Sequence, residues 1–433
     1  MKFIVNNGGK LTGNIRVPGD KSISHRSIMF GSIARGTSHI TGFLQGEDSL
    51  NTLRAFQAMG VSIEGPDDGL VVIHGVGMRG LKKPARALDL GNSGTSMRLL
   101  AGLLAGQTFD VELAGDASLS RRPMERVTKP LISMGAHVGT AEGGRPPLQI
   151  AGGSAMKGIE YDLPMASAQV KSCVLLAGLY ATGKTCVTEP APTRDHTERM
   201  LNAFGCPVEK NGATVCINGP ATLKACDIDV PADISSAAFF IVGASIAPDS
   251  DITLQHVGIN PTRTGVIDIL RLMGADIELL NPSEVGGEPV ADIRVRSARL
   301  QGIDVPQELV PLAIDEFPVI FVAAACAEGR TVVTGAEELR VKESDRIQVM
   351  ADGLQALGVN AVATADGMII NGGTISGGDV HSHDDHRIAM AFSMAALRAT
   401  GTVNIDDCDN VNTSFPDFAG LAAGAGLSIQ TDA

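Results

Sequence analysis

No tryptophan occurs in this chain of 433 residues, and tyrosine occurs only twice; with 13 phenylalanines the aromatic share is 3%. Proteins that grip single-stranded nucleic acid stack bases on aromatic side chains, so that class of function is disfavoured at once. Positive charge is also short. Thirty-five basic residues stand against 48 acidic ones, and the net charge of -13 disfavours unspecific attraction to nucleic acid or to an anionic membrane. The seven cysteines, at 173, 186, 206, 216, 226, 326 and 408, contain no C-x-x-C pair, so neither a zinc knuckle nor a redox dithiol is indicated. They read as reduced, mostly buried thiols. The opening residues MKFIVNNGGK lack the apolar core of a signal peptide, and no uncharged apolar run reaches the ~20 residues of a membrane span. The expectation is a cytoplasmic protein with neither nucleic acid nor membrane as partner.

Glycine is abundant, at 51 residues, and the hydrophobic share is 44%. Such a chain suits many short elements joined by tight turns, and its length favours two domains over one core. A repeat organises it. An amphipathic helix closed by glycine and followed by a short strand ends at Gly60 (LNTLRAFQAMGVSI), Gly135, Gly205, Gly274, Gly358 and Gly426. Glycine one residue past the last turn is the left-handed cap that such a helix end needs. A second signature keeps step with the first. A polar stretch opens an Ala-rich apolar helix, which stops at a turn before a β-branched strand: DKSISHRSIMFGSIARGTSHITG, GNSGTSMRLLAGLLAGQTFDVELAG, ASAQVKSCVLLAGLYATGKTCVTEP and three further copies. The chain therefore reads as an α/β protein of six copies of a unit of roughly 70 residues, each with two helices and several strands.

The third copy contains GLYATGKT, Gly178 to Thr185, which fits the phosphate-loop pattern G-x-x-x-x-G-K-[ST]. A phosphate loop runs from strand to helix, so that the helix N-terminus meets the anion. Here the order is reversed, with a helix before Gly183 and a strand after it. The match is an accident of sequence, and no nucleotide site is expected.

The opposite ends of the Ala-rich helices carry more chemistry. A helix N-terminus offers unpaired N–H groups and partial positive charge, which attract anions. At these ends stand Lys21, Ser22 and Arg26; Asn92, Ser93, Gly94 and Thr95; Ser167 and Gln169; Asp315 and Glu316; and Asp384, Asp385, His386 and Arg387. The fourth copy, with Ser235 and Ser236, reads as plain capping. Loops add Arg121 and Arg122, Arg194, and Lys342, Glu343 and Arg346. Each residue alone fits a cap, a tight turn or a solvated helix face. Their recurrence at equivalent points of a repeat points instead to a shared site. The histidines of HSHDDHR, at 381, 383 and 386, lack the partners that would complete a metal set, and no metal is expected.

Together PGDKSISHR, LGNSGTSMR, RRPM, SAQVKS, DEFP, RVKESDR and DDHRIAMAF resemble the 5-enolpyruvylshikimate-3-phosphate synthase (3-phosphoshikimate 1-carboxyvinyltransferase) family, over nearly the whole chain and in the family's order. The resemblance implies a two-domain inside-out α/β barrel with three βαβαββ units per domain. The domains are placed at 1–19 with 231–433 and at 20–230, with the active site in the cleft between them. It also implies transfer of the carboxyvinyl group of phosphoenolpyruvate to the 5-hydroxyl of shikimate 3-phosphate, with release of phosphate, no cofactor, and a monomer.

Carried over by motif, Lys21, Ser22, Arg26, Ser167, Ala168, Gln169, Arg194, Asp315 and Lys342 resemble the ligands of shikimate 3-phosphate. Lys21, Asn92, Gly94, Arg122, Gln169, Arg346 and Arg387 resemble those of phosphoenolpyruvate. Lys21, Asp315 and Glu343 are the catalytic candidates. Each substrate phosphate carries about -1.5 to -2 and each substrate adds a carboxylate. A local set of lysines and arginines answers that charge, and it outweighs the distant acidic balance because charges beyond ~8–10 Å are screened. Arginine suits such a site because its fork binds phosphate and carboxylate bidentately.

Two positions depart from many members: Ala168 stands where a second serine precedes the glutamine, and Thr413 where some members place a lysine. With RRPMERV and TRDHTE, these resemble the class II branch, associated with tolerance of glyphosate; Gly94 is nonetheless retained. The sister enzyme UDP-N-acetylglucosamine enolpyruvyl transferase is the alternative. It is disfavoured because Ala117 stands where that family carries a reactive cysteine.

Overall fold

In the computed structural model, which describes residues 1–432, the chain divides into two compact units. One comprises Met1–Pro18, Pro231–Glu284 and Pro289–Ala433; the other comprises Gly19–Val230 and Val285–Glu288.

The repeat is visible in hydrogen bonding. In the second copy, Leu88–Asp89 runs parallel to Val111–Ala114, which pairs antiparallel with Arg145–Ile150, which in turn pairs with Val138–Ala141. The parallel step requires a crossover, and a helix supplies it. The same order recurs in every sheet, except that the three-stranded sheet of the fifth copy has isolated parallel bridges, Gln301 to Glu328 and Asp304 to Val332, in first place. Two first strands come from far along the chain. Ile228–Asp229 runs parallel to Arg35–Thr41, and Thr12–Ile15 runs parallel to Asp251–Gly258. Lys2–Val5 lies between Val403–Asp406 and Ile429–Asp432. The first residues thus pair with the second half of the sequence.

Twelve α-helices follow two recipes. The crossover helices are α1 (Lys21–Ile33), α3 (Gly94–Ala105), α5 (Ala168–Gly178), α7 (Ile234–Ile246), α9 (Phe317–Cys326) and α11 (His386–Ala395). They are buried nearly all round, α7 along its whole length, as expected of helices apolar on every side. The others are α2 (Glu47–Ala58), α4 (Glu125–Ser133), α6 (His196–Ala203), α8 (Gly265–Leu272), α10 (Arg346–Ala356) and α12 (Phe418–Ala425). Each leaves one face to solvent, and the expected glycine after each has positive φ, from 81° at Gly205 to 118° at Gly426.

GLYATGKT spans the end of α5 and the start of the strand Gly183–Thr188; Lys184 lies on that strand, paired with Glu209 at 2.6 Å. No helix N-terminus follows it.

Two expectations need correction. Not all cysteines are reduced: Cys186 and Cys216 form a disulfide. They lie directly opposite one another in neighbouring antiparallel strands, which places their Cα atoms 4.1 Å apart; a sequence separation of 30 residues conceals this. Cys173, Cys206, Cys226, Cys326 and Cys408 are free. Nor do Ser235 and Ser236 cap α7. Asp233 does, accepting from the Ser235 N–H, and Ser235 uses its hydroxyl elsewhere.

Within the Gly19–Val230 unit, α3 and α5 pack closely because Gly102 has no side chain. A Cβ there would stand 2.1 Å from the Cys173 carbonyl oxygen, contact that only a shift of one helix relieves. Gly102→Ala is therefore expected to destabilise this unit by about 1–3 kcal/mol, read as a lowered midpoint in denaturant unfolding of the full chain.

Candidate active site

In the Gly19–Val230 unit, three buried helices open with a side-chain cap: Asp20 on α1, Ser93 on α3 and Ser167 on α5. Side chains knit these ends together. Gln169, on the first turn of α5, donates to Thr95 Oγ1 at 3.0 Å and accepts from Arg98, both on α3. Arg26 on α1 donates to Ser172 Oγ on α5 at 2.9 Å, to Thr197 Oγ1 on α6 at 2.7 Å and to the Ser22 carbonyl at 3.0 Å. A buried chain runs from His25 Nδ1 to Thr52 Oγ1 (2.8 Å), Ser96 Oγ (2.6 Å) and Ser93 Oγ (2.7 Å). Burial holds the His25 imidazole well below its usual pKa, with Lys21 and Arg26 pushing the same way.

The cations here differ in what they touch. Lys21 Nζ lies 3.0 Å from Asp48 Oδ2. Arg122 donates to Asn92 Oδ1 at 2.6 Å and to Ser118 Oγ at 3.3 Å, both neutral acceptors. Burial pulls the pKa of Arg26 down to about 10, against the opposing pull of Glu198 and Asp20. Guanidinium groups bonded to amides, hydroxyls and carbonyls keep charge available for an incoming anion. Gly94 opens α3 beside them; a Cβ there would lie 3.1 Å from Arg122 Nη1 and 3.3 Å from Arg98 Nη1. Glycine thus leaves the space in front of both guanidinium groups open.

The other unit collects opposite charges. Arg346, fully buried at the start of α10, donates from Nε to Asp385 Oδ2 at 2.8 Å and from Nη2 to Glu343 Oε2 at 2.7 Å, and its Nη1 lies 3.4 Å from Asp315 Oδ1. Lys342 Nζ is 3.3 Å from the same Asp315 oxygen and 2.8 Å from Glu338 Oε1. Arg387 donates to the Asp315 carbonyl at 3.0 Å and lies 3.7 Å from Glu316 Oε1. Glu316 also accepts the Ser235 hydroxyl proton, while Arg263 donates to Asp233 and Ser235.

Burial opposes charge on both Lys342 and Arg346. Asp315 and Glu338 outweigh it for the former, and Asp385 and Glu343 for the latter, so both pKa values are raised. Burial likewise opposes charge on Asp385, which caps α11; Arg346 outweighs it and the pKa is lowered.

The expected residues therefore fall into two groups. Lys21, Ser22, Arg26, Asn92, Gly94, Arg122, Ser167, Ala168, Gln169 and Arg194 belong to one unit, and Asp315, Lys342, Glu343, Arg346 and Arg387 to the other. Sequence reading missed Asp48, Glu338 and Arg263. It also passed over Arg98, whose position one turn after Gly94 was the available signal. Thr413 closes a short 3-10 helix, its hydroxyl donating to the Asn410 carbonyl. Among the described residues, no group of three or more His, Cys, Asp and Glu is placed to hold a metal, and no helix is long and apolar enough to cross a membrane.

Six repeated α/β units, with Lys21 and Arg387 on the first turns of α1 and α11 and Arg122 and Arg346 nearby, define an α/β protein whose buried helix ends gather cations suited to small anions. The chain belongs to the EPSP synthase (3-phosphoshikimate 1-carboxyvinyltransferase) family, whose model matches residues 5–421. It is 67% identical over 428 residues to the 3-phosphoshikimate 1-carboxyvinyltransferase of Methylococcus capsulatus, covering 99% of this chain and 98% of that one. It is 66% identical to that of Nitrosococcus oceani, covering 99% and 97%. A solved EPSP synthase from Acinetobacter baumannii superposes with a TM-score of 0.91 at 59% identity, covering both chains entirely. The family is one of transferases.

Breaking the Arg346–Asp385 pair should be costly, because it takes from the buried Arg346 the one of its three carboxylate partners that is itself fully buried. Asp385→Asn is expected to lower stability at pH 7 by roughly 3–5 kcal/mol. The folded-state pKa of Asp385 is depressed, so its contribution is complete above the unfolded value of about 3.9 and is lost as pH falls through the lower folded value. The gap between variant and parent should stay level down to about pH 4 and close only below it, as followed by unfolding at stepped pH.

Proposed function

We infer that the chain transfers the carboxyvinyl group of phosphoenolpyruvate to the 5-hydroxyl of shikimate 3-phosphate, releasing phosphate, a reading supported by relatives named 3-phosphoshikimate 1-carboxyvinyltransferase. The observation that carries this reading for the chain itself is the cluster at Asp315 and Glu343. Both carboxylates stand within hydrogen-bond or ion-pair reach of Arg346, and Asp315 also of Lys342, so anion-binding cations and proton-carrying groups occur together.

In this reading, Ser22, Arg26, Ser167, Gln169, Arg194, Asp315 and Lys342 hold the shikimate ester, with Ala168 beside them. Lys21, Asn92, Gly94, Arg122, Gln169, Arg346 and Arg387 hold phosphoenolpyruvate. The 5-hydroxyl oxygen attacks C2 of phosphoenolpyruvate, losing its proton, while the C3 methylene gains one. The tetrahedral intermediate then expels phosphate, and the new methyl group returns a proton to restore the double bond. Asp315 and Glu343 carry these protons, and Lys21 neutralises the departing phosphate. The reading includes no cofactor and a monomer in the cytoplasm, since one chain supplies every residue named.

The first test is phosphate release with phosphoenolpyruvate and shikimate 3-phosphate, without ATP or added metal, beside a parallel reaction containing UDP-N-acetylglucosamine instead of the ester. Release only with the ester is expected; release only with the nucleotide sugar would overturn the reading. Asp315→Ala should lower kcat by about 10²–10⁴, the usual worth of a general acid–base, with binding of the ester largely kept. Unchanged turnover would remove Asp315 from the mechanism.

A further inference from the structure

We propose that Lys171 is a positioning residue that keeps Arg26 open to a phosphorylated substrate by holding Glu198 away from it. The proposal rests on the functional reading above, in which that arginine binds the shikimate ester.

Lys171 lies on α5 and is only 1% exposed. An ammonium at that depth requires partners, and it has two: Glu189 Oε2 at 2.9 Å and Glu198 Oε1 at 2.7 Å. The neighbouring residues serve Arg26. Ser172 follows Lys171 and Thr197 precedes Glu198, and both hydroxyls accept from the Arg26 guanidinium. A buried ammonium and a buried guanidinium therefore draw on adjacent residues of the same two helices, and both carboxylates are taken by the ammonium.

That division is not inevitable. Glu198 is the foremost charge favouring protonated Arg26, so the two feel one another without a bond between them. The Glu198 oxygens accept no well-angled hydrogen bond, which leaves the attraction of Lys171 to fix this side chain. Glu189 also accepts from the hydroxyl of Thr193, the residue before Arg194, so the same ammonium steadies the loop that carries Arg194. Without Lys171, the buried Glu198 carboxylate would have the Arg26 guanidinium, which already feels its charge, to turn to. Arg26 would then be neutralised by the protein in place of the substrate.

The test is calorimetric binding of shikimate 3-phosphate to the full chain, with steady-state kinetics alongside. For Lys171→Met, Kd and KM for the ester should rise at least about tenfold while kcat stays within about threefold, the split that marks lost ground-state binding. Lys171→Arg should retain affinity. Removing the freed carboxylate as well, in Lys171→Met/Glu198→Gln, should return affinity to within about threefold of the parent, a coupling expected only of interacting residues. Parental affinity in the single variant, or a double variant as weak as the single, would overturn the proposal. Should the single variant fail to fold, the comparison passes to two charge-compensated doubles. Lys171→Met/Glu198→Gln should bind normally, whereas Lys171→Met/Glu189→Gln, which keeps Glu198, should bind weakly; equal affinity would overturn the proposal. A parent chain that does not bind the ester would defeat the functional reading itself, whatever Lys171 does.

Discussion

A helix buried on all sides cannot leave the N–H groups of its first turn unsatisfied, because no water reaches them. Six helices of this chain are buried in that way, and each needs something polar at its N-terminal end. Asp20, Ser93, Ser167, Asp233 and Asp385 meet part of that demand with their own side chains. What the caps leave over is a set of partly positive ends surrounded by polar side chains. The apolar repeat that builds the core thus also dictates where polar and charged side chains gather, because that is where the packing scheme cannot be apolar.

The two units meet this constraint differently. Around α1, α3 and α5, two arginines lean on neutral groups while the lysines take the carboxylates: Arg122 on an amide and a hydroxyl, Arg26 on two hydroxyls and a carbonyl, Lys21 on Asp48 and Lys171 on Glu189 and Glu198. Around α9 and α11, cations and carboxylates are interleaved, with Arg346 facing Asp385, Glu343 and Asp315. The first arrangement favours an incoming anion strongly. The second is nearly balanced without one, and its carboxylates are at hand to exchange protons.

Local sequence carried much of this. Glycine at each of six helix ends, alternation of apolar and amphipathic helices, and the reversed strand order around Lys184 all follow from nearest-neighbour rules: φ > 0, helical period, helix direction. Recurrence of polar residues at equivalent points located Lys21, Asn92, Gln169, Asp315 and Arg387. Residues that act only through a distant partner stayed hidden. Asp48 is defined by Lys21, and Glu338 by Lys342. Asp233 was overlooked because Ser235 and Ser236 offered a more conspicuous cap two residues later.

The sequence by itself determined the class of fold, the repeat and the places where helix ends would attract charge, since each of these depends on residues within about one turn or one strand of each other. Only the tertiary structure decided which charge meets which. It set Cys186 opposite Cys216 through strand register, gave three carboxylates to Arg346, and assigned Glu198 to Lys171 rather than to Arg26. Such pairings depend on distances of a few ångströms between elements far apart in the chain. No local rule fixes those distances until the helices have packed.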